Sequence, residues 1–322
     1  MPSWRKKWHG YSIEFRYPER TRNQPGELAH ELATTPTRQP PLVREPQRAL
    51  DFLRAPALQG DGKSPNPVTQ EYLADAQRTR ASASTLTERV ASIPWYHTID
   101  LGHGVVTPGN HDHRSFVSKI GIPDNLEGKR VLDVATFDGF WAFEFERRGA
   151  SVVAIDLPST AHLDLVRGAR EIVEAEHLDT PHGEAFSIAH DALDSKVSWL
   201  PSSVYDLDPA VHGTFDLVFV GDVLLHLRNP LDALRRIRSV TTGDLIVVDR
   251  FDPSISGSGE RLLRYEGGWH SMEWWAPSLE TLEQWVVDAG FSAPRMQAAY
   301  RVRGVDRSQS GWHRAILHSR AA

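Results

Sequence analysis

At 322 residues and 40% hydrophobic content, the chain has material for one large or two modest domains with a real core. It contains no cysteine, which excludes disulfides and thiolate metal sites. Its net charge of −6 is uneven: residues 1–80 hold 13 Lys/Arg against 9 Asp/Glu, or +4, leaving −10 on the other 242, a balance that argues against a polyanionic acceptor.

No apolar run approaches the ~18 residues of a membrane span, and the opening MPSWRKKWHG lacks a hydrophobic signal segment. The expectation is a soluble cytoplasmic protein without a membrane partner. Residues 1–80 contain 10 of the 21 prolines, which excludes long helices through their middle. Their positive charge gathers around Arg5, Lys6, Lys7, Arg16, Arg20 and Arg22. Two readings are open: a basic arm for RNA phosphates, or an extension that wraps the domain or a neighbouring copy in a homo-oligomer. The second domain is expected to run from 81 to 322.

From Glu71 to Ser92 the chain is proline-free, with spaced apolar residues that fit one or two helices. An aromatic and histidine-rich stretch follows, from Ile93-Pro94-Trp95-Tyr96-His97 to His111-Asp112-His113-Arg114. Its HDH invites a metal, but no third ligand is fixed, and local hydrogen bonding explains the histidines; no metal is expected.

Arg130 to Asp156 is the organising unit. VLDV reads as a strand buried on both faces, FWAFEFERR as a helix closed by Gly149, and VVAI as a second strand ending on Asp156. In an open parallel sheet a ligand sits beyond the carboxyl ends, and an acid closing the second strand accepts from ribose hydroxyls. A dinucleotide needs three glycines in the turn. Here those positions are Ala135, Phe137 and Phe140, so a pyrophosphate would meet side chains. S-adenosylmethionine (SAM) carries no phosphate, and one glycine, Gly139, with Asp133 can serve it.

Further on, 162–176 and 186–193 read as helices. Phe215 to Val220 is a clear strand that presents Gly221 to His226 at the mouth of the sheet, and Pro230 opens a helix. His226 is the best-placed residue to orient an acceptor or take its proton, with helix packing as the plain alternative. Asp222, beside it, can hydrogen-bond donor or acceptor and favours a sulfonium electrostatically. After Leu245 to Asp249 comes a Gly/Ser-rich insertion, then Trp269, Trp274 and Trp275, which either line an apolar acceptor pocket or pack over the sheet edge. A helix from Leu279 to Ala289 and strands over 296–302 and 312–317 complete the chain.

VLDVATFDGFWAFEFERRGA with VVAID, FDLVFVGDVLLHLRNP, and WWAPS before an AGF turn resemble class I SAM-dependent methyltransferases over about residues 90–322. More narrowly they resemble the branch of tRNA wobble-uridine (carboxy)methyltransferases and relatives. The resemblance implies a Rossmann-like α/β fold: a mostly parallel seven-stranded sheet with a terminal antiparallel hairpin. It makes 93–116 a lid that brings Trp95, Tyr96, His97 and Arg114 near the methyl group. Asp133, Ala135, Thr136, Phe137 and Gly139 would receive SAM's amino-acid end, Asp156 its ribose, and Ser203 and Val204 its adenine. Ala135 leaves the turn intact where the family has glycine, whereas Phe137 implies a loop lying differently over the cofactor. Carboxymethyl-transferring members keep a tyrosine where this chain has Leu225, though Arg314 falls at their basic position. Ordinary methyl transfer to an oxygen or nitrogen of a small molecule is therefore expected, with tRNA or a non-catalytic SAM-binding role as the alternatives.

Overall fold

A computed structural model of the chain describes residues 3–8, 11–16, 85–109, 111–175, 179–267, 272–303 and 312–322. In chain order the strands are β1 (Ser3–Trp8), β2 (Tyr11–Arg16), β3 (Arg130–Val134), β4 (Ser151–Asp156), β5 (Ser198–Pro201), β6 (Phe215–Gly221), β7 (Thr241–Phe251), β8 (Leu263–Tyr265), β9 (Trp275–Pro277), β10 (Arg295–Arg303) and β11 (Trp312–Arg320). One sheet has the order β1-β2-β10-β11-β7-β6-β3-β4-β5, and β8 and β9 pair separately. β7, β6, β3, β4 and β5 are parallel, whereas β11, β10, β2 and β1 add on antiparallel.

The expected seven strands are therefore present, and the backbones of β1 and β2 extend the sheet beyond the terminal hairpin. β2, YSIEFR, alternates apolar and polar residues as a strand does, whereas β1, SWRKKW, does not, and neither is among the expected strands. The proline-rich part of 1–80 and the start of the 71–92 helical stretch lie outside the described residues.

Alternation along the strands splits the core. Val131, Leu217, Phe219, Ile246 and Val248 face the helix Phe140–Arg147, whose Phe140, Trp141, Ala142, Phe143 and Phe145 are buried. Leu132, Val134, Val218, Val220, Leu245 and Val247 face the helices Pro230–Val240 and Leu279–Asp288. Each large side chain buried this way contributes roughly 1.5–3 kcal/mol. From β3 the chain winds outward to β4 and β5, then returns to β6 on the other side. The crevice where the winding reverses opens between the carboxyl ends of β3 and β6.

The expected helix over 162–176 is shorter. Thr160–His162 is a 3-10 turn, 163–166 is non-helical, and the helix runs from Arg167 to Ala175. Arg170 donates to the carbonyls of Ala161 (3.1 Å) and Leu163 (2.7 Å), which takes acceptors that a continuous helix would use internally. Leu165 and Val166 instead join Ala169 and Val173 in a small apolar cluster that Met272 and Trp274 close.

Candidate active site

On the β3–β4 side of the crevice the turn is built from backbone. Thr136 N donates to Ile155 O at 3.0 Å, and its hydroxyl donates to Asp133 Oδ2 at 2.7 Å. Ala135 and Phe137 sit at φ of 57° and 55°, left-handed values that glycine adopts without strain. The loop therefore keeps a glycine-like path with side chains on it. Gly139, at φ 91°, has no such latitude: a Cβ there would lie 2.5 Å from Phe143 Cε2 and 2.7 Å from Phe186 Cδ2.

Two acids close these strands. Asp133 is buried, and burial pushes its carboxyl up to about 7 against the opposing pull of Thr136 and His97. Asp156 is nearly as buried, and its two oxygens accept from Phe137 N and Leu157 N, each at 2.7 Å. A carboxylate has about four lone-pair sites, so two amides leave capacity for hydroxyls.

The lid segment is tied down from this same loop. Asp138, fully buried, accepts from Tyr96 N (3.0 Å) and His97 N (2.7 Å) through Oδ2, while its Oδ1 pairs with His97 Nδ1. The segment doubles back on itself: Thr98 N donates to His111 O, and His111 N to Tyr96 O, both at 2.9 Å. Gly109 makes that fold-back feasible, because a Cβ there would come within 2.0 Å of the His97 carbonyl carbon. The Tyr96 ring stacks on His111 at 4.2 Å and leans on Phe137, and the His97 ring stacks on Phe140. Burial, then His97, lowers His111 to about 4, so it is neutral at physiological pH. His113 is shifted down for the same reasons.

Not every expected lid residue reaches the mouth. Trp95 is a core residue whose indole donates to Val90 O at 2.9 Å, because it lies where the lid enters the apolar cluster. Arg114 is turned onto Asp112 as a two-point pair. Asp138 itself went unassigned in sequence, since its partners stand about forty residues upstream with no periodic relation to it.

Across the crevice the charges cancel internally. Asp222 follows β6 at a left-handed φ of 53° and forms an ion pair with Arg314 of β11. Arg314 is buried, which disfavours its charge, but Asp222 and then Asp249 outweigh that desolvation and hold it firmly charged. Asp249, buried near the carboxyl end of β7, accepts from Val223 N, Leu224 N and Arg250 N; burial and then Asp222 raise its carboxyl.

His226 lies on the rim with an exposed side chain, and its Nδ1 meets Met272 O at 3.1 Å. The insertion after β7 folds back over this rim. Trp274 N donates to Leu225 O, its indole to Asp164 O, and the Trp275 indole to Arg228 O. Tyr265, 59% exposed, lies edge-on to Trp275 at 5.4 Å. Trp269 lies outside the described residues. Ser203 accepts from Tyr205 N at 3.2 Å as the cap of a 3-10 turn, and Val204 is buried beside it. Among the described residues no three metal-ligating side chains converge.

A family model described as a methyltransferase domain matches residues 110–293, more than half of the chain. The chain belongs to the methyltransferase domain family. The tRNA U34 carboxymethyltransferase of Methylococcus capsulatus is 31% identical over 193 residues, covering 59% of this methyltransferase and 52% of that protein. The protein of the same name from Pseudomonas aeruginosa strain PAO1 is 30% identical over 175 residues, covering 53% and 47%. This methyltransferase thus spans about half the length of these relatives. Among solved structures, the N-terminal domain of EvdMO1 with SAH bound is 16% identical with a TM-score of 0.44, covering 77% of this chain and 97% of that one. A Burkholderia thailandensis 1,6-didemethyltoxoflavin-N1-methyltransferase is 13% identical with a TM-score of 0.41, covering 96% of each.

The family takes its methyl group from S-adenosylmethionine. The β3–β4 side fits that donor: two buried acids stand at adjacent strand ends, and side chains occupy the turn where a pyrophosphate would need bare backbone.

Proposed function

We propose that this methyltransferase moves a methyl group from S-adenosylmethionine to an oxygen or nitrogen of a small-molecule metabolite. When bound, the donor supplies a methyl group already activated by its sulfonium. Asp133 would hold the amino-acid end and Asp156 the ribose, with Thr136 and Gly139 shaping the turn between them. The task left to the chain is to align the acceptor and exclude water, which is chiefly an orientation effect. Tyr96, His111 and Phe137 cover one side of the crevice and the Trp274 strap the other.

For an acceptor that carries a proton, His97 is the better-supported base. Asp138 engages Nδ1 and so favours the tautomer whose Nε2 bears the lone pair. His226, anchored to a backbone carbonyl on the rim, suits an orienting role instead.

The observation that carries the ordinary donor is the Asp222–Arg314 pair, and the small acceptor rests on the −10 balance of residues 81–322. By resemblance, Arg314 would receive the extra carboxylate of a carboxymethyl donor; here an aspartate already neutralises it, and Leu225 stands where such members have tyrosine. A tRNA acceptor is the second reading, favoured by the names of the 31% and 30% identical relatives. A cytoplasmic setting belongs to the same proposal; no helix among the described residues is long and apolar enough to cross a membrane.

The test uses SAM labelled in its methyl group, offered bulk tRNA and a small-metabolite extract in parallel. Label in dialysable, ribonuclease-resistant product supports the proposal, and label in ribonuclease-sensitive polymer overturns it in favour of tRNA. Tight SAM binding with no transfer would make the chain a non-catalytic binder. Asp138→Asn reverses the proton's place on His97. It is expected to lower turnover about a hundredfold and alter the pH–rate profile, while affinity for S-adenosylhomocysteine stays within about twofold.

A further inference from the structure

The long connection between β4 and the helix Glu184–Ala192 returns to the acid at the end of β4. His182 N donates to Pro158 O (2.9 Å), Thr160 N to Thr180 O (3.0 Å) and Ala161 N to Asp179 Oδ1 (2.9 Å), so 179–182 run as a strap along 158–161. The strap ends at Gly183, whose φ of 92° turns the chain sharply into that helix. This geometry brings the His182 ring beside Asp156, with Phe137 6.2 Å away on the donor loop.

The two ring nitrogens are in different situations. Nε2 lies 3.3 Å from the hydroxyl of Thr160, a fully buried residue that also meets Thr180 Oγ1 at 3.0 Å. Nδ1 is buried, has no hydrogen-bond partner in the protein, and stands 3.7 Å from Asp156 Oδ1. That separation is too long for a hydrogen bond between them. A hydroxyl group brought between them would satisfy both atoms, accepting from Nδ1–H and donating to the carboxylate. The tautomer agrees: a neighbouring carboxylate favours the proton on Nδ1, and Nε2 then accepts from the Thr160 hydroxyl.

We propose that His182 is a second donor-recognition residue, which together with Asp156 reads the vicinal hydroxyls of a nucleoside ribose. The inference rests on the donor site described above and adds to it a side chain supplied by the strap. It makes the diol a shared ligand of an acid and an imidazole, a more selective arrangement than an acid alone, because the imidazole donates where the acid only accepts. If the strap histidine served only to order its own loop, the identity of the ligand's hydroxyls would not matter to it.

Calorimetry with S-adenosylhomocysteine and its 2′-deoxy and 3′-deoxy analogues tests this on the intact chain. His182→Ala is expected to weaken S-adenosylhomocysteine about tenfold, the loss of one well-placed hydrogen bond. At least one deoxy analogue should cost the wild type more than tenfold, and the same analogue should cost H182A about tenfold less than that, because only the bond to Asp156 is then left to lose. His182→Asn, which places an amide N–H near the Nδ1 position, should recover most of the affinity. If H182A fails to fold, His182→Phe keeps a planar ring and carries the same comparison. Wild-type affinity in H182A overturns the proposal, as does an equal loss for the parent ligand and both analogues. Asp156→Ala separates the two levels: weak binding in D156A beside normal binding in H182A removes His182 alone, whereas normal binding in both removes the donor site itself.

Discussion

The two sides of the crevice handle buried charge in opposite ways. Asp133 and Asp156, at the ends of β3 and β4, are held by hydroxyl and amide donors that leave their negative potential uncancelled. Asp222 and Asp249, near the ends of β6 and β7, face the buried guanidinium of Arg314. A cationic ligand is thus attracted to the first side and is not repelled by the second. Without Asp222, Arg314 would place an uncompensated positive charge in the crevice proposed for the sulfonium, so the pair bears on the proposed donor site as much as the acids assigned to it.

Breaking the pair gives the largest expected effect. Asp222→Ala strands a buried arginine and should cost about 3–5 kcal/mol of stability in denaturant unfolding. The double variant D222A/R314M, which removes both charges and keeps the volume of a long side chain, should regain most of it. A loss below about 1 kcal/mol in D222A would mean that Asp249 takes over the pairing and that the two sides differ less than described. On the donor side, Asp156→Ala should weaken S-adenosylhomocysteine about tenfold or more in calorimetry, because charged hydrogen bonds to the ligand and the anchors of Phe137 and Leu157 are lost together.

The same contrast explains what was legible in sequence. VLDV and VVAI announce parallel strands by composition, and an acid at the end of such a strand points to the ligand site without further context. The Asp222–Arg314 pair joins residues of β6 and β11 that no local pattern connects, and each alone reads as an ordinary mouth residue. His182 stands in a long irregular connection, where a histidine carries no positional meaning until the strap is folded. Trp95 failed in the opposite sense: an aromatic beside Tyr96 and His97 suggests a lid, but alternate residues of an extended segment face opposite ways, and Trp95 faces the core.

Asp133 sharpens the comparison through pH, with a smaller effect. Burial holds its carboxyl at about 7, above its unfolded value, so in the free protein it is protonated below about pH 7 and negative above it. The stability this group contributes is fully present below its unfolded value near ~4 and is lost as pH rises through about 7. Ligand binding has the opposite sign. In the proposed site the ammonium of the donor's amino-acid end would pair with the ionised carboxylate, so binding below pH 7 would first have to remove a proton. Affinity for S-adenosylhomocysteine should therefore rise about tenfold between pH 6 and 8 and then level off, with proton release visible as a dependence of binding heat on buffer ionisation. Asp133→Asn should bind more weakly and lose that slope. If D133N kept the wild-type slope, the titrating group would lie elsewhere, and the uncancelled potential of this side would rest on Asp156 alone.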